Sequence, residues 1–158
     1  MKKHIFEYVF LLLFMTSLTA FAENEKIDEQ DVINLVDKAV NLISTKGESA
    51  LIEIGNASGK FFFPKKSLYV FVYDENCVIK AHPYKPTLVG RSYRGLPDVR
   101  GKKFRDEIVQ KALAEGSGWT EYSYQKPGVS GIFKKKVFGK RARAGNKWFI
   151  VCAGMYTK

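Results

Sequence analysis

The sequence predicts an α+β domain in which a central antiparallel sheet of about five strands carries a long N-terminal helix on one face. Two patterns lead to this expectation. Apolar residues recur at three- and four-residue steps early in the chain, which is typical of a helix, and aromatic and β-branched residues cluster from residue 68 onwards, which is typical of strands. Gly and Pro clusters separate the strand-like stretches, so neighbouring strands are expected to pair as hairpins.

Helices are expected at about residues 26–45, 48–54 and 104–113. Strands are expected at about residues 68–73, 78–82, 119–124, 132–138 and 147–156, with a polar, basic connection before the last strand. The segment from His82 to Gly101, here called the cover loop, is rich in Gly and Pro and poor in apolar residues. Long irregular segments in compact domains are often functional, so this loop is expected to cover a binding site.

The first 22 residues have the features of a secretory signal peptide. Two lysines precede an apolar stretch over residues 5–20, and Ala20-Phe21-Ala22 places small side chains where signal peptidase cleaves. Cleavage after Ala22 would leave residues 23–158 as a single soluble domain, periplasmic or secreted, with no membrane span. An uncleaved anchor is the alternative, although the stretch is marginal for about 30 Å of hydrocarbon.

The chain is strongly basic, with 26 Lys and Arg against 16 Asp and Glu and a formal net charge of +10. Such a charge suits anionic small molecules, lipid headgroups or acidic polymers as partners. Nucleic acid is not expected among them, because the chain is expected to be exported and carries no nucleic-acid recognition motif.

Histidine and cysteine are scarce. His82 is the one histidine beyond the predicted signal peptide, and Cys77 and Cys152 are the two cysteines of the chain. These residues lack the spacing of a metal site or of a catalytic Cys/His pair, so we expect no cofactor and no enzyme activity. Export permits a disulfide between the cysteines, but both lie in apolar strand-like sequence where free thiols pack equally well, so both states stay open.

Short motifs follow one another in a fixed order over most of the chain beyond the predicted signal peptide. They are Tyr69-Val70-Phe71-Val72-Tyr73-Asp74, Ala81-His82-Pro83, Val89-Gly90-Arg91, Asp98-Val99-Arg100-Gly101-Lys102, Gly118-Trp119-Thr120-Glu121-Tyr122, Trp148-Phe149-Ile150-Val151 and Gly154-Met155-Tyr156. In this order and spacing they resemble the single Cache domain, the extracytoplasmic PAS-like sensor module of bacterial chemoreceptors and sensor kinases.

The resemblance implies a pocket between the sheet and the loop–helix segment, and a small ligand that is frequently a short organic acid. It also implies a role in chemotaxis or kinase signalling. One position departs from the family, which commonly has Lys and then Tyr three residues later in the fourth strand; here the match is Lys135 and Phe138, which lacks the hydroxyl. Residues three apart in a regular strand face opposite sides, so these two can share a pocket only if the strand is bulged.

Lys135 is a candidate for binding an anionic ligand. It shares a strand face with Phe133 and Val137, an apolar setting in which an ammonium group needs a partner. An anionic ligand, a structural carboxylate or solvent would each provide one. Arg91 in the cover loop is a second candidate, because a guanidinium can bind a carboxylate through two N–H groups, but a position on the surface explains it as well.

The other candidate ligand contacts are polar or aromatic. His82 ends a strand where the cover loop begins, so it could donate a hydrogen bond to a ligand or cap local backbone groups. Asp98 could receive an amine or serve as a turn residue. The aromatic candidates are Trp119, Tyr122, Tyr124 and Phe138. Trp119 and Tyr124 do not share a face of a regular strand, whereas Tyr122 and Tyr124 do, so part of this set is expected in the core.

Two functions stay open from the sequence. In the first, the domain is a sensor that binds a small carboxylate without converting it and reports through a membrane receptor or another signalling protein. In the second, the basic residues of the last hairpin bind an anionic surface or an acidic partner, and no small ligand is bound; they include Lys134, Lys136, Lys140 and Arg141. An enzyme would need an acid–base pair such as His82 and Asp98, and nothing in the sequence indicates that they meet.

Overall fold

A computed structural model describes residues 26–157, so the predicted signal peptide and its cleavage site lie outside the described residues. Helix α1 (Glu29–Lys46) begins at Asp28, whose carboxylate accepts a hydrogen bond from the Asp31 amide while the Asp31 carboxylate accepts one from the Asp28 amide. This reciprocal cap satisfies two free amides of the first turn. The helix ends at Gly47, whose φ of 63° is readily adopted by glycine, and helix α2 (Ala50–Ile54) follows.

A short ribbon of β1 (Phe62–Phe63) and β2 (Leu68–Tyr69) precedes the main sheet. The strands of the main sheet are β3 (Phe71–Asp74), β4 (Ile79–Ala81), β5 (Ser117–Gln125), β6 (Ile132–Ala144) and β7 (Lys147–Thr157), and all of them pair antiparallel in the order β4-β3-β7-β6-β5. Helix α3 (Phe104–Glu115) follows the cover loop. This architecture confirms the predicted α+β fold with a five-stranded antiparallel sheet and an N-terminal helix.

Two element boundaries differ from the prediction. The stretch expected as one strand at 68–73 is divided, because Tyr69 pairs with Phe62 of the ribbon before the chain enters β3. Strand β6 also runs to Ala144 through the segment expected as a polar connection, and only Gly145 and Asn146 join it to β7. Its basic residues alternate with small ones such as the buried Ala142, so a strand can form although the composition resembles that of a loop.

The sheet is covered on both faces. On one face α1 and α2 pack with Val72, Phe149 and Val151 of the sheet. On the other face α3 packs with Phe71, Tyr122, Val137 and Ile150, and Leu88 and Tyr93 of the cover loop join this second layer. The candidate site therefore has to be sought in the second layer, between the sheet and the loop–helix segment.

Basic residues of the last hairpin connect the sheet to α1 and to its C-terminal end. Lys136 pairs with Glu29, Lys140 with Asp37 at 2.8 Å, and Lys147 with Glu48 at 2.7 Å. Two arginines of the hairpin lie over the ring of Trp148; they are Arg141 and Arg143. Much of the basic cluster thus has partners within this chain.

Candidate ligand-binding site

Lys135 of β6 projects into the layer under α3 and is 2% exposed. Its ammonium nitrogen lies 3.1 Å from the Tyr69 hydroxyl. Four aromatic rings surround it, with centroid distances of 4.6 Å to Tyr69, 5.2 Å to Phe71, 5.2 Å to Tyr156 and 5.8 Å to Tyr124. Among residues 26–157 no Asp or Glu forms an ion pair with it. The tyrosine hydroxyls and ring faces are therefore its surroundings.

Burial dominates the titration of this cluster. It lowers the pKa of Lys135, and the nearby hydroxyls of Tyr156 and Tyr124 only partly oppose that shift. Burial also raises the pKa of Tyr156 to about 12, against the effect of Lys135. An ammonium group held away from water without a counter-charge is unfavourable, so an anion that reached Lys135 would gain a strong partner.

His82 lies beside this lysine at the start of the cover loop and is 6% exposed. Its ring centroid is 5.2 Å from that of Tyr69 and 5.8 Å from that of Phe71. Its Nδ1 accepts a hydrogen bond of 3.0 Å from the Lys85 amide, which assigns the proton of the neutral ring to Nε2. Burial, with the charges of Lys135 and Lys85, lowers the pKa of His82 to about 3. At neutral pH the ring is uncharged and has one N–H group to donate.

A cavity lies between these residues, α3 and the cover loop. Four of the sequence-predicted contacts line it: His82, Tyr122, Tyr124 and Lys135. The other lining residues are Tyr69, Phe71, Tyr73, Ile79, Leu88, Phe104 and Arg105. The cavity measures about 10 Å³, roughly the space that one water molecule needs. An organic ligand can enter only if the lining moves apart.

A larger and more open pocket of about 420 Å³ adjoins this cavity, because Tyr69 and Tyr124 line both. Its outer wall is formed by Tyr84, Lys85 and the β5–β6 turn at residues 126–131. The Lys85 ammonium lies 5.7 Å from the centroid of Tyr124. The side chains of Tyr69 and Tyr124 therefore lie between the outer pocket and the cavity beside Lys135.

The remaining predicted contacts lie away from the cavity. The Asp98 carboxylate accepts hydrogen bonds from the amides of Arg100, Lys102 and Ser123, so it fixes a turn of the cover loop to β5. Burial alone would raise the pKa of Asp98, but these hydrogen bonds outweigh it and the pKa is lowered. The Arg91 side chain is exposed, although its backbone pairs with that of Ile79.

Trp119 and Phe138 lie on the opposite face of the sheet. They are directly paired between β5 and β6, with ring centroids 5.2 Å apart, in the layer under α1. Strand β6 keeps a regular register with both of its neighbours from Lys135 to Phe138, so nothing turns Phe138 back towards Lys135.

Cys77 and Cys152 are free and buried in the layer that contains the cavity. Burial raises the pKa of both thiols, that of Cys77 to about 11. Across the described residues no group of three or more His, Cys, Asp or Glu side chains is placed to hold a metal ion. None of the described helices is both long and apolar enough to cross a bilayer.

Several cavity residues were not identified from the sequence. Tyr69, Phe71 and Tyr73 occupy alternate positions, and this two-residue period was visible in the sequence as a shared aromatic face. Tyr156 reaches Lys135 because the two are register partners between β6 and β7. That pairing, like the inward position of Arg105 on α3, depends on tertiary structure and has no local signal.

The family model of the single Cache domain 2 matches residues 9–158. The chain therefore belongs to the single Cache domain family. Domains of this family are periplasmic sensory domains that bind small ligands and are not enzymes. A search of curated protein sequences gave no match.

Solved structures with this fold include three chemosensory domains. The sensor domain in a study of carboxylic acid recognition by a Cache chemosensory domain is 22% identical, with a TM-score of 0.67 over 82% of this chain and 92% of that one. A periplasmic sensor domain of a chemotaxis protein is 25% identical, with a TM-score of 0.61 over 80% and 88%. A methyl-accepting chemotaxis protein from Vibrio parahaemolyticus is 18% identical, with a TM-score of 0.62 over 80% and 86%.

Proposed function

We propose that this domain binds a small carboxylate beside Lys135 and reports the bound state to a partner protein. The observation that carries this proposal is the wholly buried ammonium group, which has no acidic partner among the described residues. A carboxylate would supply the missing charge in surroundings where attraction between charges is strong. Tyr69 and His82 also line the cavity, and the Tyr69 hydroxyl and the His82 Nε2–H are hydrogen-bond donors that a carboxylate there could use.

Ligand entry would require movement of the cover loop, because the cavity has room for about one water molecule. Leu88 of this loop lines the cavity, while Val89, Leu96 and Val99 are exposed. Besides Leu88 and Tyr93, which pack in the layer under α3, the loop is attached mainly by hydrogen bonds, and local opening would have to break them. A bound carboxylate that favours the closed loop would shift this equilibrium and alter the surface offered to a partner.

The partner in this proposal is a membrane receptor or another signalling protein, and a change in self-association is a second route for the signal. The proposal includes export, with residues 1–22 removed as a signal peptide. N-terminal sequencing of the protein recovered from the periplasm or medium tests this point: Glu23 at the N-terminus supports cleavage after Ala22, and an intact Met1 contradicts it.

The binding test is a thermal-shift screen of residues 23–158 against small carboxylates, amino acids and amines at fixed salt. A carboxylate at about 100 times its dissociation constant should stabilise the fold by about 2.7 kcal/mol. Lys135→Met should abolish the shift, since Met keeps the unbranched shape and most of the length of the side chain without its charge. Arg91→Ala, which changes an exposed arginine of the cover loop, is the matched control and should retain it. The proposal fails if no carboxylate stabilises the wild type.

The alternative of a basic interaction protein has weaker support. Lys136, Lys140 and Lys147 form ion pairs with acidic residues of α1 and of the turn after it, so their presence is explained by the fold. Retention of the protein on anionic vesicles, together with no shift from any carboxylate, would favour this alternative over the sensor.

A further inference from the structure

Arg105 is a second buried cation in the cavity and is not among the residues already assigned a role. It lies in the first turn of α3, is 8% exposed and lines the cavity together with Lys135. Within the described part of the chain no carboxylate forms an ion pair with it. The cavity thus has two positive side chains and no acidic one in its lining.

The guanidinium group lies between two aromatic rings and also interacts with the Tyr73 hydroxyl. Its central carbon lies 4.2 Å from the ring centroid of Phe104 and 4.7 Å from that of Tyr93. Its Nε is buried and has no hydrogen-bond partner. Buried N–H groups in folded proteins almost always have a partner, so this one indicates an acceptor that the chain itself does not provide.

The surroundings of Arg105 suit an anionic acceptor. A guanidinium offers parallel N–H groups that match the two oxygens of a carboxylate. The Tyr73 hydroxyl is a neutral partner that supplies no counter-charge, and the Nε–H still has no acceptor. A ligand that reached only Lys135 would leave the Arg105 Nε without an acceptor.

We propose that the ligand of this cavity carries two anionic groups, such as the ends of a short dicarboxylate, with one bound by Lys135 and the other by Arg105. This inference rests on the proposed function and narrows its ligand class. Arg105 would then select for the second acidic group, whereas Lys135 would bind any carboxylate.

The test compares each dicarboxylate with its own monoamide, which has nearly the same size and shape but a neutral end. Isothermal titration of residues 23–158 with malonate, succinate and glutarate, each beside its monoamide, covers three chain lengths. At the length that fits, the diacid should bind at least about 10-fold more tightly than its monoamide, because only the diacid gives Arg105 a charged acceptor. Equal binding of diacid and monoamide at all three lengths would overturn the inference.

Variants assign the preference to Arg105. Arg105→Gln should remove the difference between diacid and monoamide and leave the affinity for butyrate unchanged, while Lys135→Met should weaken all three. If Arg105 only supported the fold, the Arg105→Gln substitution would instead lower the affinity for every one of these ligands, which would contradict a selective role. If Arg105→Gln does not fold, the comparison in the wild type still decides.

The two proposals fail in different ways. Binding of butyrate and the monoamides with no preference for diacids would overturn the second anionic group alone. Absence of binding by every carboxylate, mono- or di-, would overturn the sensor proposal and this inference with it.

Discussion

The ammonium group of Lys135 is enclosed by tyrosine and phenylalanine rings at a depth where lysines are seldom found without a counter-charge. Ring faces attract a cation but do not replace its hydration in full. In the free protein the pKa of Lys135 is therefore lowered. Because an anion binds the protonated form of its Nζ atom, ligand binding and proton binding are linked there.

This linkage predicts that carboxylate affinity falls as pH rises through the lowered pKa of Lys135. The anion binds the charged ammonium, so above that pKa each binding event must take up a proton, and affinity should decline by up to about tenfold per pH unit. Titration calorimetry in buffers of different ionisation enthalpy, from pH 6 to 10, measures this uptake. Lys135→Met should bind weakly at every pH. If the affinity of the wild type did not change up to pH 10, the linkage would be contradicted.

His82 makes a separate prediction for stability. Its pKa is about 3 in the folded protein and about 6.5 in an unfolded chain, so the unfolded chain gains a proton first as the solution is acidified. The contribution of neutral His82 to the free energy of unfolding is complete above pH 6.5 and is lost as pH falls towards 3, at up to about 1.4 kcal/mol per pH unit. His82→Asn keeps an acceptor for the Lys85 amide but does not titrate. Urea unfolding between pH 7.5 and 4.5 should show a smaller loss of stability in this variant than in the wild type. If the free energy of unfolding fell equally with pH in both proteins, that result would argue against the linkage.

The cavity residues show how far a single sequence can define a site. The two-residue period of strands separates Tyr122 and Tyr124 from Trp119, and the structure places the first two in the cavity and the third under α1. The same rule separates Lys135 from Phe138. No local rule could indicate Tyr156 or Arg105, since their proximity depends on which strands pair and how α3 is rotated.

Among the elements, α3 defines one wall of the cavity, and its approach to the sheet depends on a glycine in β6. A Cβ atom at Gly139 would lie 2.9 Å from the Cγ2 atom of Ile108 in α3. The absence of a side chain at this position lets the helix settle directly on the strand, which is the close contact that a strand glycine often marks.

Gly139→Ala should lower the free energy of unfolding by about 1–3 kcal/mol, because the added methyl group overpacks the contact between α3 and β6. Gly118→Ala is the matched control. Gly118 pairs directly with Gly139, but its Cβ would meet only the flexible side chain of Lys111, so a smaller loss is expected. If urea denaturation gave the same loss of unfolding free energy for both variants, the loss would come from strand propensity and not from the packing of α3.

The elements also show which features of the fold were readable. Strong periodicity predicted α1 and the order of the sheet strands, and turn residues such as Asp74 marked the β3–β4 hairpin, where the Asp74 carboxylate accepts hydrogen bonds from the Asn76 and Val78 amides. Composition misled over residues 139–144, where basic side chains on a long strand resemble a polar loop. The β1–β2 ribbon is too short for any period to identify.

In the whole molecule, the cover loop and the sheet must respond together if the domain is a sensor. We predict that a saturating carboxylate slows hydrogen exchange across residues 82–101, where the backbone bonds from Gly90 to Ile79 and from Tyr93 to Cys77 attach the loop to the sheet. The α1–α2 turn at residues 47–49 lies on the other face and is the internal control. Unchanged loop protection, with binding verified in the same sample, would mean that the loop is not the moving part.

Strand β7 occupies the middle of the sheet although it is the last of the described strands in sequence order, and it pairs with β3 at positions such as Phe71 and Cys152. Neither face of the sheet can be completed before residues 147–157 have been synthesised. The nascent chain must therefore remain without its core until β7 has been synthesised, with folding delayed by contacts between distant parts of the sequence. Such a chain would be available to a translocation machinery that accepts only unfolded polypeptide.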